Sequence, residues 1–124
     1  MNPAEFGRWA QEQAARHLTA RGCRVLVENY RTRRAEVDLI VADGDDVVFV
    51  EVKGRRDARF GTPWEAVDRR KQMRIVAAAT DFLARQPQYA GRPLRFDVVA
   101  VEPVPGEGRW RVRWLKNAFS PQDF

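Results

Sequence analysis

The sequence is poor in cysteine and histidine, since its 124 residues include only Cys23 and His17. One cysteine excludes an internal disulfide, and a single residue of each type excludes a zinc site built from several such ligands. The chain also lacks an apolar run near the roughly 18 residues of a membrane span, and its first residues lack the pattern of a signal peptide. We therefore expect a cytoplasmic protein with no membrane association, stabilised by packing.

What the sequence has in abundance is arginine. Apolar residues make up 44% of the chain, enough for the core of a single domain over residues 1–124. Basic residues outnumber acidic ones by 22 to 17, and 19 of the 22 are arginines. Because the planar guanidinium group suits bidentate contacts with phosphates, this excess favours a nucleic-acid partner. Genome base composition or a heat-loving host explains the same usage equally well, so charge alone leaves the partner open.

Hydrophobic periodicity and turn residues predict the element order α-β-β-β-α-β-β. The first predicted helix covers Pro3 to Arg21, and the second runs from Pro63 to about Arg85 with Thr62 as its N-cap. The predicted strands are 24–30, 36–42, 47–53, 94–101 and 109–115, with a loop at 43–46 and an irregular tail at 117–124. This order is typical of an α/β domain with a mixed sheet.

Acidic residues cluster in the hairpin formed by the second and third strands. Glu36 and Asp38 are two residues apart, which places both on one face of their strand. Glu51 and Lys53 share a face for the same reason. With a four-residue loop Asp38 lies opposite Glu51 and Glu36 lies opposite Lys53, whereas in a register shifted by two Glu36 lies opposite Glu51. Either register brings three carboxylates and one amine together on one face.

Two interpretations of this cluster remain open. In the first, Lys53 and nearby arginines neutralise the acids in a surface ladder of ion pairs, each worth about 0–1 kcal/mol. In the second, Asp38 and Glu51 bind Mg²⁺ or Mn²⁺, because a hard cation prefers carboxylates, waters and phosphate oxygens. Lys53 would then orient a water for attack or stabilise charge on a phosphoryl group. Glu36 is a further catalytic candidate on the same face.

Basic segments flank the acids on both sides in the sequence. The flanking arginines are Arg31, Arg33, Arg34, Arg55, Arg56 and Arg59. They are candidates for contacts with a phosphate backbone around the acids. Metal-binding acids inside a ring of cations indicate phosphodiester chemistry. No helix-turn-helix or zinc-finger pattern is present, which favours recognition of nucleic-acid shape over base sequence.

Asp38 followed by Glu51-Val52-Lys53 resembles the D…(D/E)-x-K signature of the PD-(D/E)XK nuclease superfamily. Five segments in order resemble, more specifically, the YraN family of bacterial proteins over about residues 7–119: NYRTRRAEVDLI, VVFVEVKGRRDARFGTPWEAV, RKQMRIVAAA, RFDVVAV and LKNAF. The resemblance implies a restriction-endonuclease-like αβββαβ core, with a central mixed β-sheet flanked by helices, similar in outline to Holliday junction resolvases. It also implies Mg²⁺ or Mn²⁺ held by Asp38 and Glu51, with Lys53 assisting the attacking water.

The resemblance further favours Gln72 as a catalytic residue on the second helix, with Lys71 near the same site and in contact with nucleic acid. The chain departs from the family pattern in two places. The family's Gly-Glu-Ile-Asp is Ala35-Glu36-Val37-Asp38 here, which leaves both acids in place. The other departure lies on the first helix. An acid is expected seven residues before Leu18, where this chain has Gln11, a poorer metal ligand. The adjacent Glu12 is rotated about 100° around the helix and is not assumed to replace it.

Two functions are therefore expected. The first is a Mg²⁺- or Mn²⁺-dependent endonuclease acting on DNA, such as branched, nicked or otherwise processed structures. The second, which Gln11 favours, is a nucleic-acid-binding accessory protein in recombination, repair or DNA uptake. A homodimer would suit the cleavage of two opposed strands. A structural protein with ion-paired acids is a third alternative.

Overall fold

The computed structural model describes residues 1–57 and 67–120, which form a five-stranded sheet with a helix on each face. The helices are α1 (Pro3–Ala20) and α2 (Arg69–Arg85), and a short 3₁₀ helix follows at Pro87–Tyr89. The strands are β1 (Arg24–Arg31), β2 (Glu36–Asp43), β3 (Asp46–Gly54), β4 (Leu94–Pro103) and β5 (Trp110–Phe119). The predicted element order and α/β class are confirmed, and the architecture is consistent with a restriction-endonuclease-like core.

The strands lie in the order β1-β2-β3-β4-β5, and only β3 and β4 run parallel. A parallel connection needs a crossover, and the segment containing α2 supplies it. Because of this topology, the ends of β3 and β4 lie at the same edge of the sheet as the starts of β2 and β5. The acidic residues of the β2–β3 hairpin lie at that edge.

Helix α1 covers one face of the sheet. Its buried positions recur at a spacing of four residues: Phe6, Ala10, Ala14 and Leu18. The last three of these pack against alternate residues of the central strands, namely Leu39, Val41, Val48, Val50, Val99 and Val101. A Cβ atom added to Gly54 would lie 2.9 Å from the Cβ of Ala10, so this glycine permits the close approach of α1 to the end of β3.

Helix α2 covers the opposite face. Its buried side consists of Ile75, Ala78, Ala79 and Phe82. These residues pack in one cluster with the other set of strand residues, including Ile40, Val47, Phe49, Phe96 and Val98. Alternation along β3 thus sends its apolar residues to two separate cores. Among the residues described, no helix has both the length and the apolar character needed to cross a membrane.

The predicted start of the second helix is wrong. Val67 and Asp68 are not helical, and α2 begins at Arg69. The reason is local, because the Asp68 carboxylate accepts a hydrogen bond from the backbone N of Lys71 at 2.9 Å and caps the helix there. The predicted N-cap Thr62 and first helical position, residue 63, lie outside the described residues.

Two other predicted boundaries are also wrong. The loop predicted at 43–46 is a two-residue turn, because Asp43 and Asp46 are paired and Gly44 adopts a φ of 59°. The tail predicted from Asn117 belongs to β5 as far as Phe119, and residues 121–124 lie outside the described part. Asn117 has a φ of 55° at an irregularity in the β4–β5 pairing, and this irregularity lets the strand continue.

Arg95 connects the β2–β3 turn to the start of β4. This contact lies at the opposite edge of the sheet from the ends of β3 and β4. Its guanidinium group donates to Asp43 at 2.8 Å, to Asp46 at 2.9 Å and to Asp97 at 3.0–3.1 Å. Asp97 is completely buried and also accepts a hydrogen bond from the backbone N of Asn117 at 3.0 Å. One buried cation therefore holds three carboxylates and explains how two aspartates can face each other across the turn.

Candidate active site

The carboxylates of the predicted site lie where β2 and β3 separate. Backbone pairing runs from Asp43↔Asp46 to Leu39↔Val50, which is the register that places Asp38 opposite Glu51. Of the two registers considered, the first is confirmed. Beyond this ladder, Oδ2 of Asp38 accepts a hydrogen bond from the backbone N of Val52 at 2.7 Å. The side chain takes the place of a main-chain acceptor and is held between the two strands.

Glu51 lies at the centre of the charged groups at this edge. Its side chain is 6% exposed, and its Oε1 lies 3.5 Å from Nζ of Lys53 and 2.5 Å from Nζ of Lys71. Lys53 follows on the same strand, whereas Lys71 comes from the first turn of α2. Two separate elements therefore bring ammonium groups to one carboxylate. We refer to Asp38, Glu51, Lys53 and Lys71 as the acid–lysine cluster.

Burial and charge shift the pKa values within the acid–lysine cluster. Burial, together with the charge of Glu51, raises the pKa of Asp38 to about 7, although the hydrogen bond from Val52 opposes the shift. Burial lowers the pKa of Lys53, and the neighbouring Lys71 adds to this effect. Burial also opposes the charge of Lys71, but its contacts with Glu51 outweigh burial and raise its pKa. Perturbed groups beside a cavity favour a functional site.

Two cavities meet at Asp38. The α2-side cavity has a volume of about 480 Å³ and is lined by Arg34, Glu36, Asp38, Glu51, Arg70, Lys71 and Arg74, among others. The α1-side cavity has a volume of about 800 Å³, and its lining includes Gln11, Glu28, Asp38, Val52 and Gly54. Asp38 is therefore the residue that adjoins both cavities.

Glu36 lies at this edge but forms a different ion pair from the predicted one. It lines the α2-side cavity, while its carboxylate pairs with Nε of Arg31 at 3.1 Å across β1 and β2. Sequence reasoning instead placed it opposite Lys53. The acid–lysine cluster thus contains two of the three carboxylates that the hairpin pattern brings to this face.

The α1 residue that departs from the family pattern, Gln11, lines the α1-side cavity together with Asp38. The carboxylate of Glu12 pairs instead with Arg16 at 2.6 Å. Within residues 1–57 and 67–120, no three or more His, Cys, Asp or Glu side chains are grouped so as to hold a metal ion. The side chains of the acid–lysine cluster that could bind a metal ion are the two carboxylates of Asp38 and Glu51.

This donor set fits a hard divalent cation. Mg²⁺ in proteins is commonly held by one or two carboxylates, with waters and substrate phosphates completing the shell. Asp38 and Glu51 supply two such carboxylates, close enough for the charge of one to raise the pKa of the other. A cation beside them would relieve that repulsion, and Lys71 provides a positive charge there.

Of the two candidates on α2, only Lys71 contacts the acids. Nε2 of Gln72 donates to the carbonyl oxygen of Val67 at 2.9 Å, so its side chain satisfies the backbone before the helix. The two residues are adjacent, and one step along a helix rotates the side chain by about 100°. The family segment contains both residues, so the sequence alone did not show which of the two side chains contacts the acids.

The arginines predicted before the acids lie on the α2 side of the sheet. Arg31 pairs with Glu36, and Arg34 lines the α2-side cavity. Arg33 lies with both of them in a neighbouring groove that also includes Asp81 and residues of α2. The predicted basic segment is therefore adjacent to the acids in space as well as in sequence.

The arginines predicted after the acids lie apart from that cavity. The guanidinium group of Arg56 donates to the carbonyl oxygens of Met1 and Asn2 at 2.6 and 3.1 Å and stacks over the ring of Phe6. The backbone N of Arg55 donates to the carbonyl oxygen of Val101 at 2.8 Å. The third predicted arginine, Arg59, lies outside the described residues.

Sequence reasoning missed two cations of the α2-side cavity, Arg70 and Arg74. They are four residues apart and therefore share a face of α2, next to Lys71. In the described part of the chain, neither they nor Arg34 form an ion pair with a carboxylate. Their i, i+4 spacing was the signal in the sequence that they share a helix face. Charged residues on one face of a helix usually do no more than face solvent, so the spacing did not identify them as site residues.

The fold and the acid–lysine cluster define an α/β protein with a candidate metal site at one edge of a mixed sheet. Residues 10–101 match the family described as "Uncharacterised protein family UPF0102", and the chain belongs to this family, also called YraN. The predicted family is confirmed.

Relatives within this family cover nearly the whole chain. A UPF0102 protein of Pseudomonas paraeruginosa is 43% identical over 118 residues, which is 95% of this chain and 94% of the relative. One from Pseudomonas aeruginosa is 44% identical over 113 residues, 91% and 90% of the two chains. One from Pseudomonas putida is 43% identical over 118 residues, 95% of each.

Proposed function

We propose that this protein is a Mg²⁺- or Mn²⁺-dependent endonuclease that hydrolyses phosphodiester bonds in DNA. One observation carries the proposal. The carboxylates of Asp38 and the buried Glu51 lie next to each other where β2 and β3 separate, and the ammonium group of Lys53 lies beside them. A divalent cation bound there would polarise a phosphoryl oxygen and make a water more acidic.

In the proposed reaction, Lys53 would assist the attack of water on the phosphodiester. It is held on β3, two residues beyond Glu51, and its Nζ is 3.5 Å from the Glu51 carboxylate. An ammonium group fixed on a strand beside the acids can orient a water and stabilise the charge that develops on the phosphoryl oxygens. We assign this role to Lys53.

The substrate would be held by arginines around the α2-side cavity. Arg34, Arg70 and Arg74 line it together with both acids and form no ion pair within the described chain. Guanidinium groups suit bidentate contacts with phosphates, and such contacts position a nucleic acid without reading its bases. The proposed substrates are accordingly recognised by shape, as branched, nicked or otherwise processed DNA.

A second candidate function is supported by Gln11. It lines the α1-side cavity beside Asp38, where an acid would add a metal ligand. With two carboxylates rather than three, the protein could bind DNA through the same arginines without cutting it. Such an accessory protein would show an affinity for DNA that falls steeply with salt.

The test is a cleavage assay with matched variants. Wild type, Asp38→Ala and Lys53→Ala are incubated with linear, nicked, flapped and four-way DNA in Mg²⁺, Mn²⁺ or a chelator. We expect metal-dependent cleavage by the wild type and a loss of about a hundredfold or more in both variants, with DNA binding retained. Asp45→Ala is the control, because this exposed residue lies in the turn at the far edge of the sheet.

The other outcomes separate the alternatives. Binding without cleavage by every protein in both metals would refute the endonuclease and support the accessory protein. Cleavage retained by Asp38→Ala would show that another site cuts the DNA. If the wild type neither bound nor cleaved DNA, both proposed functions would be refuted.

A further inference from the structure

We propose that Lys71 is a placeholder cation: its ammonium group occupies the acid pair in the metal-free protein and must leave Glu51 when a divalent cation binds. The inference rests on the proposed metal site. It concerns what the chain itself does before the metal arrives, and it makes Lys71 a competitor of the metal.

The first step of the argument is charge balance. With both acids ionised, the acid–lysine cluster contains two negative and two positive charges around a carboxylate that is 6% exposed. A divalent cation added to an unchanged cluster would leave two uncompensated positive charges among half-buried groups. Repulsion between like charges is strong in such surroundings, and it is relieved if one ammonium group moves away from the acids.

Lys71 is the group positioned to move. Its Nζ lies 2.5 Å from Oε1 of Glu51, compared with 3.5 Å for Lys53, so Lys71 is the nearer competitor for that oxygen. Its side chain is 38% exposed, whereas that of Lys53 is 18% exposed. Lys71 also lines the α2-side cavity, which offers space for its flexible stem.

The displaced ammonium group would remain beside the proposed substrate. The α2-side cavity that receives it is also lined by Arg70 and Arg74. Lys71 would therefore exchange a carboxylate oxygen for a phosphate oxygen when both metal and DNA are bound. By linkage, each of these two ligands then favours the binding of the other.

The test compares Mn²⁺ binding by the wild type and two charge-matched variants. Lys71→Met keeps the apolar stem and removes the charge. Arg74→Met removes a positive charge three residues further along α2, at a side chain that does not contact Glu51. Mn²⁺ is titrated by calorimetry, and thermal midpoints are measured in chelator. We expect Lys71→Met to bind Mn²⁺ about tenfold more tightly than the wild type, since no ammonium group is displaced. Its thermal midpoint in chelator should be lower.

Arg74→Met should change the affinity for Mn²⁺ by less than about threefold, because charges at the cavity mouth are screened by solvent. Equal affinities of wild type and Lys71→Met would overturn the placeholder role and leave the proposed function standing. A similar gain in both variants would also overturn it, because a general charge effect would then suffice. No Mn²⁺ binding by any of the proteins would refute the metal site and the proposed function together.

Discussion

Replacing Asp38 by asparagine should stabilise the metal-free protein, and only when the pH is well above 4. Asparagine has the same shape, keeps an oxygen that can accept the hydrogen bond from Val52, and carries no charge. Burial and the charge of Glu51 raise the pKa of Asp38 from 3.8 to about 7. Glu36 adds to the shift, whereas Lys71 and the Val52 N–H reduce it.

The sign follows from proton binding. Because the folded protein holds this proton more tightly than the unfolded chain, the wild type loses stability as the pH rises from about 4 to about 7. A pKa difference of about three units corresponds to about 4 kcal/mol. Water entering the cavities beside Asp38 screens part of this, so we expect Asp38→Asn to be more stable than the wild type by roughly 2–4 kcal/mol at pH 8. Near pH 4 the two proteins should be equally stable.

Urea unfolding, followed by tryptophan fluorescence in chelator between pH 4 and 8, measures this difference. The gap between the free energies of unfolding should widen by about 1 kcal/mol per pH unit up to about pH 7 and then stay constant. Asp45→Asn serves as the control, since that side chain is exposed. A gap that does not change with pH, or a variant less stable than the wild type at pH 8, would refute the assignment of Asp38 as a repelled, desolvated carboxylate.

Two further substitutions examine the opposite edges of the sheet. Gln11→Glu should tighten Mn²⁺ binding about tenfold, because it adds a carboxylate to the cavity that Asp38 also lines. Unchanged affinity in calorimetry would mean that position 11 does not reach the metal. Arg95→Met should lower the free energy of unfolding at pH 7 by roughly 3–5 kcal/mol, because it leaves the buried Asp97 without its cation. A loss below about 1 kcal/mol in urea unfolding would contradict the assigned role of Arg95.

The β2–β3 hairpin was predictable because its information is local. Its strands are adjacent in sequence, a glycine at the first position of a two-residue turn, here Gly44, is typical of hairpins, and alternation sorts the side chains between two faces. The same locality brought Asp38, Glu51 and Lys53 together correctly. The arginines just before the hairpin followed from the same reasoning.

The remainder of the site depends on how distant elements pack. The position of α2 over β3 decides that Lys71 contacts Glu51 and that Gln72 does not, and no local pattern contains that information. Alternation likewise does not predict that the Asp38 carboxylate accepts a hydrogen bond from the backbone N of Val52, in place of a backbone carbonyl. The end of β5 was missed because Asn117 is held by Asp97 from another strand.

The composition of the acid–lysine cluster also bears on the order in which the chain folds. Asp38, Glu51 and Lys53 belong to one hairpin, and Lys71 joins them only when α2 packs on the sheet. Hairpins form within about 1–10 μs, sooner than contacts between elements distant in sequence. The hairpin alone therefore brings two acids together with a single amine to offset their repulsion. The docking helix supplies the missing charge, so assembly of this face is completed by electrostatic attraction as well as by burial of apolar surface.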